Sequence, residues 1–137
     1  MSETNTNGAQ RVSSGSPWEA LAGFSRAVRV GNHISVSGTT ASDEHGNTVH
    51  QADARAQTAY ILDKILAALN EAGAQMSDVV RTRIYVAHYG DWEEIARAHG
   101  EVFKDIRPAN SLVIVRSLVP DDALVEIEVD AIISPRS

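Results

Sequence analysis

Residues 124–133, LVEIEVDAII, alternate without a break: Val125, Ile127, Val129 and Ala131 fall on one side, Glu126, Glu128 and Asp130 on the other. Side chains of a strand project to opposite faces with a period of two. Such a segment therefore requires a sheet with one covered apolar face and a second face that meets something polar. Residues 79–87, VVRTRIYVA, repeat the pattern with the opposite charge: Val80, Thr82, Ile84 and Val86 share a face, and Arg81, Arg83 and Tyr85 share the other. Carboxylates and guanidinium groups on neighbouring strands of one face can pair. A pair of short β-rich runs flanks Gly31-Asn32, a tight-turn dipeptide, and the second of them sets Ile34 and Val36 against Ser35 and Ser37.

Two helices are expected between these strands. In residues 53–73, Leu62, Ile65, Leu66 and Leu69 recur at helical spacing, Asp53 is placed to cap the start, and Gly73 stands just past the end. In residues 91–106, Asp91 and Glu94 have capping-box spacing, and Trp92, Ile95, His99 and Val102 form the apolar stripe. Pro108 stops that helix. A strand is expected over about 110–117, with Asn110, Leu112, Ile114 and Arg116 facing away from the helices. Residues 1–16, rich in Ser, Thr, Asn and Gly, read as a flexible tail, and 17–137 as a single α+β domain. Two helices cover only one face of the sheet. The other face, mixed in charge and partly apolar, calls for a partner, and the economical partner is a second copy of the chain.

Bulk composition removes several functions. The formal net charge is -6 and aromatic residues make up 5%, which opposes nucleic-acid binding through phosphate neutralisation and base stacking. No apolar run approaches the roughly 20 residues of a membrane span, and the N-terminus lacks the apolar core of a secretory signal. The chain has no cysteine, so thiolate chemistry and disulfides are excluded, in keeping with a cytoplasmic location. The histidines, His33, His45, His50, His88 and His99, lack metal-ligand spacing, and no metal site is expected. His99, on the buried stripe of a helix, reads as a hydrogen-bonded core residue. The acidic run Glu126, Glu128, Asp130 is open to two readings: an interface or solvated face paired with arginines, or a pocket wall in which one carboxylate is a general acid or base.

The motifs VGNHISVSGTTA, AALNEAGAQMSDVVRTRIYVA, DWEEIARAHGEVF, RPANSLVIVRSL and VEIEVDAI, in that order, resemble the RidA/YjgF/UK114 family of reactive-intermediate deaminases over about residues 22–133. The resemblance implies a chorismate-mutase-like fold, a mixed sheet with two helices on one face, assembled as a homotrimer with clefts between subunits. It implies hydrolysis of 2-imino acids and their enamine tautomers, with a small-molecule substrate and no cofactor. Carried over residue by residue, it makes Glu126 the group that positions water or moves a proton and Ser37 a pocket hydroxyl. The family's pocket tyrosine falls on Phe24, its pocket asparagine on Ala96, and its carboxylate-binding arginine on Asn110.

The chain thus resembles a branch of the family without that arginine. An amide offers neither the charge nor the fork of donors, a loss worth about 1.5–3 kcal/mol. Arg26, Arg107 and Arg116 are near enough in sequence to replace the charge, and they join Phe24, Ser37 and Asn110 as expected substrate-binding residues. The alternative is a trimer that binds a small metabolite without turning it over, favoured by loss of both the arginine and the tyrosine hydroxyl. RNA cleavage, an activity historically attached to the family, is opposed by the acidic balance.

Overall fold

The computed structural model describes residues 8–134 and the backbone of a short strand at Ser2–Thr4. Among these, the strands are β1 (Ser2–Thr4), β2 (Gln10–Val12), β3 (Ala27–Val30), β4 (His33–Thr39), β5 (Val79–Val86), β6 (Ala109–Ile114) and β7 (Val125–Ile132). They form one sheet in the order β1-β2-β3-β4-β7-β5-β6. Only β5 and β6 pair in parallel. Helix α1 spans Pro17–Ala22, α2 spans Ala54–Glu71 and α3 spans Trp92–Phe103. Both β4 and β5 are antiparallel to β7, so they run parallel to each other with α2 as their crossover. The helix α3 joins β5 to β6 in the same way, as parallel neighbours require. No described helix is long and apolar enough to cross a membrane.

The core lies between the sheet and α2 and α3. Ile34, Val36, Ile84, Val86, Val125, Ile127 and Val129 bury the covered face of the sheet; Ile61, Leu62, Ile65, Leu69 and Ile95 meet it from the helices. The Asp53 carboxylate caps α2 by accepting from the Ala56 N–H, and Gly73 follows the helix at φ +95°, where a side chain would be strained. Ile65 has no exposed surface. Ile65→Ala should lower unfolding free energy by about 2–5 kcal/mol, measurable as a reduced midpoint in chemical denaturation with an unchanged slope.

The uncovered face carries a ladder of charges. Arg83 pairs with Asp130 at 3.1 Å and with Glu128 at 3.7 Å. The Ser35 hydroxyl donates to Asp130 at 2.9 Å, and the Tyr85 hydroxyl donates to Glu128. Glu126, the remaining carboxylate on this face of β7, takes no part in the ladder.

Five expectations are corrected. Residues 1–16 are not simply a tail, because β2 pairs with β3 and Val12 is buried. Part of that stretch, residue 1 and residues 5–7, lies outside the described residues. The short α1 is a third helix. The capping box at Asp91 does not form: a 3-10 turn at Tyr89–Asp91 runs straight into α3, leaving Asp91 at φ -95°, ψ -8°. A capping side chain needs an extended residue there. The buried residues of α3 are Ile95, Ala98 and Phe103, while Trp92 and Val102 are exposed. Finally, β6 has the opposite phase. Asn110 pairs with Thr82 and Leu112 with Ile84, so the even-numbered residues share the helix-side face. Ser111 and Val113 take the other, with Arg81 donating to the Ser111 hydroxyl at 3.1 Å. A slip of one residue flips every side chain, and the continuous run LVIV has no alternation to set the phase.

Candidate active site

The last turn of β4 decides where Glu126 points. Pairing between β4 and β7 loses register between Val36 and Thr39, and Gly38 lies in that irregularity. A Cβ built on Gly38 would overlap Glu126 Oε2. The glycine therefore leaves the space through which the carboxylate crosses the β4 backbone. Beyond it opens a cavity of about 410 Å³.

Each wall of the cavity has a local cause. Ser16 caps α1 by accepting from the Trp18 N–H at 3.3 Å, Pro17 supplies the first-turn geometry, and Gly23 ends the helix at φ 77°. So short a helix needs tertiary support, which Glu19 provides. Its buried carboxylate accepts from the Ser13 hydroxyl at 3.0 Å, the Ser14 N–H at 3.2 Å and the Ser14 hydroxyl. Trp18 and Leu21 of α1 then line the cavity, together with Ser117–Val119. Phe24 and Arg26 follow on the run into β3, Thr40 comes from just past β4, and Lys64 reaches in from α2.

Arg26 is 7% exposed. Its Nη2 donates to the Gly38 carbonyl at 2.8 Å, and its guanidinium carbon lies 5.6 Å from the centre of the Phe24 ring, within cation–π range. Burial lowers its pKa, while Glu19 and Glu126 act to raise it. Lys64 Nζ donates to the carbonyls of Ser42 at 2.8 Å and Thr40 at 3.3 Å, and lies 5.8 Å from the Tyr60 ring. Its pKa is lowered, first by burial and then by the Arg26 charge. Glu126 is half-buried. Desolvation pushes its pKa above the ordinary carboxylate value, against the pull of Arg26 and with help from Glu128. A carboxyl that keeps its proton nearer to neutrality, beside a fixed cation, can serve as a general acid and then as a base.

Of the residues singled out from sequence, the fold brings Phe24, Arg26 and Glu126 together in this cavity. Ser37 stands beside it, but its hydroxyl donates to the Ser25 carbonyl at 2.6 Å and ties the Phe24–Arg26 segment to β4. Asn110 does not face the cavity of its own chain. Its Nδ2 donates to Thr82 Oγ1 at 2.9 Å on the helix side of the sheet edge. Arg107 donates to the Lys104 carbonyl at 3.1 Å, and neither it, Arg116 nor Ala96 lines the cavity. His99 is a core residue bonded to Thr82 at 2.9 Å and packed on Phe103, its pKa lowered by burial. Among the described residues no three His, Asp or Glu side chains converge as a metal ion would need. Lys64, Gly38 and Trp18 escaped the sequence reading. Lys64 had one signal: it lies four residues after Tyr60, on the flank of the apolar stripe of α2.

Comparison with known proteins places this geometry among relatives. The family model described as Endoribonuclease L-PSP matches residues 15–133. An uncharacterized protein of Streptomyces coelicolor, SCO2049, is 38% identical over 123 residues, covering 89% of this chain and 90% of its own. The 3-aminoacrylate deaminase RutC of Acinetobacter baylyi is 37% identical over 107 residues, covering 78% and 84%. Among solved structures, Rv2704 of Mycobacterium tuberculosis, a member of the YjgF/YER057c/UK114 family, superposes with a TM-score of 0.81 at 44% identity, covering 91% of this chain and 99% of the other. The YjgF gene product of E. coli gives a TM-score of 0.75 at 29% identity, covering 88% and 95%.

Proposed function

This chain belongs to the YjgF/YER057c/UK114 family, and we propose that it hydrolyses a reactive imine, or its enamine tautomer, to a carbonyl compound and ammonia in the cavity around Glu126. The observation that carries the reading is the Glu126 carboxyl, half-buried in the cavity wall, raised in pKa and unclaimed by the ion-pair ladder of its own strand face. The named activity of the A. baylyi relative supports it, since 3-aminoacrylate is itself an enamine.

In this reading Glu126 gives its proton to the imine nitrogen, or to the enamine carbon. Water adds to the resulting iminium carbon, and the Glu126 carboxylate takes up the water's proton. The carbinolamine's hydroxyl proton then passes to its amine by way of Glu126. The C–N bond breaks, the carbonyl forms and ammonia leaves. Phe24 walls the site, and Ser37 holds the segment that carries Phe24 and Arg26. Asn110 enters only from a neighbouring copy whose open edge strand β6 lies across the cavity mouth.

That neighbour belongs to the proposal. The exposed side chains Val30 and Val113 on the uncovered face, the edge of β6 left unpaired among the described residues and the exposed rim residues Leu21 and Val119 are surfaces that a homotrimer would cover. Light scattering behind a sizing column should return about three times the chain mass of 14.7 kDa. A monomer at micromolar concentration removes the shared cleft. The activity test supplies imines generated in situ and measures ammonia release over the buffer rate. Replacement of the family's arginine by Asn110 and of its tyrosine by Phe24 favours a second reading, a trimer that binds a metabolite without turnover. Ligand binding with no ammonia release above buffer would establish it.

A further inference from the structure

We propose that Arg26, braced by Lys64, anchors the carboxylate of a small acid substrate with an apolar side chain, inside the same chain that supplies Glu126. The proposal rests on the hydrolytic reading only for the identity of the reacting group; the anchor itself is a binding site.

The two cations converge where a protein would otherwise avoid placing them. Both line the main cavity, and both line a second cavity of about 170 Å³ behind it, bounded by Val12, Ser14 and Ala68. They are therefore the partition between two open spaces. Each lies in the other's repulsive field and is partly stripped of water, and this shows in the lowered pKa of Lys64. Glu71 shares the wall of the second cavity with them, but among the described residues neither cation forms an ion pair within 4.0 Å of a carboxylate. Glu19 is engaged by Ser13 and Ser14, Asp43 accepts from the backbone of His45 and Asn47, and Glu126 is shifted toward its neutral form. An anion in the cavity would relieve the repulsion of the pair.

The donors are arranged to receive one. Nη2 is the one guanidinium nitrogen of Arg26 that is hydrogen-bonded among the described residues, and Nη1 is left without a partner to meet a ligand; Nε is also unpartnered but is buried out of a ligand's reach. Cβ-less Gly38 and the Phe24 ring hold the guanidinium from two sides, so little rotamer entropy remains to be lost on binding. Lys64 spends two of its protons on the carbonyls of Thr40 and Ser42 and keeps a third. The same cavity also has an apolar rim: Leu21 is 81% exposed and Val119 73%. A 2-imino or 2-enamino acid fits this polarity, with its carboxylate at Arg26, its C=N carbon near Glu126 and its aliphatic chain on the rim.

Calorimetric titration with 4-methyl-2-oxopentanoate and with its amide tests the anchor without any turnover. Wild type should bind the acid at least tenfold more tightly than the amide. Arg26→Gln should weaken the acid by about tenfold to a hundredfold, the scale of one charge-assisted contact, and leave the amide unchanged. Arg26→Lys should lose less, and Lys64→Met should lose severalfold. If Arg26→Gln fails to fold by circular dichroism, Arg26→Lys and Lys64→Met decide the matter. Equal binding of acid and amide by wild type, no binding of the acid, or an acid preference that survives in the folded Arg26 and Lys64 variants would each overturn the anchor. Ammonia release is scored separately. An acid preference lost in the variants with no turnover leaves the anchor standing and removes the deaminase, whereas turnover without acid preference does the reverse.

Discussion

Glu126→Gln should reduce imine hydrolysis by about 10²–10⁴-fold, the usual contribution of a positioned general acid or base, while the protein keeps its fold and assembly. The substitution preserves the shape that fills the space beside Gly38 and removes only the ionisable group. Glu128→Gln should act differently, because Glu128 is held by Arg83 and Tyr85 in the ladder of the uncovered face. It should weaken assembly or stability more than chemistry. Steady-state rates on folded variants of matched assembly state separate the two, and the assignment fails if Glu128→Gln abolishes turnover in a folded protein while Glu126→Gln does not.

The pH dependence has a definite sign. Burial raises the pKa of Glu126 in the folded protein above its unfolded value. The folded state therefore holds this proton more tightly, and the associated stability is fully present below the unfolded pKa and lost as pH rises through the folded one. An amide at this position does not titrate and has no such dependence. Thermal midpoints of Glu126→Gln relative to wild type should thus rise with pH across that window and level off above it. If proton donation limits the rate, wild-type kcat/KM should fall as pH rises through the same raised pKa.

Gly38→Ala should cost about 10²-fold in turnover, the effect of moving a reacting group by an ångström or more, with little loss of stability. The new methyl would overlap Glu126 Oε2, but that oxygen is the end of a flexible side chain and can swing away. The carboxylate would then leave Arg26, whose guanidinium is hydrogen-bonded to the carbonyl of this same glycine. The signature is a fall in kcat with a thermal midpoint within a few degrees of wild type. Unchanged kcat in Gly38→Ala would mean that the crossing of Glu126 over β4 is not the working arrangement.

Much of the fold was legible in the chain. Strict alternation in β7 identified its buried face, and the pattern in β5 did the same from Thr82 to Val86. It failed only at Val80, where pairing with β7 loses register between Val79 and Arg81 and the side chain is exposed. The apolar stripe and caps of α2 were equally plain, and the ordered motifs pointed to the family that the comparisons show. Periodicity succeeds here because the burial of a face is written locally, residue by residue, in a segment with its own repeat.

The site was legible only in part. Glu126 and Phe24 could be named from a family pattern, and Arg26 only as one of three arginines near in sequence, but nothing local separated Glu126 from Glu128 and Asp130 on the same strand face. Strand pairing separates them: Arg83 lies opposite Glu128 and also reaches Asp130, whereas Glu126 lies beside the irregularity at Gly38. The phase of β6, and with it the direction of Asn110, depended on which residue of an unpatterned apolar run met Ile84. Lys64 joined Arg26 because α2 crosses the sheet behind β4, a consequence of strand order that no window of sequence contains. By itself the sequence determined which surfaces had to be buried and which residue types were present to do chemistry. Only the tertiary structure decided which of them meet, because a cavity drawn from distant segments is set by pairing register and backbone irregularity rather than by any local repeat.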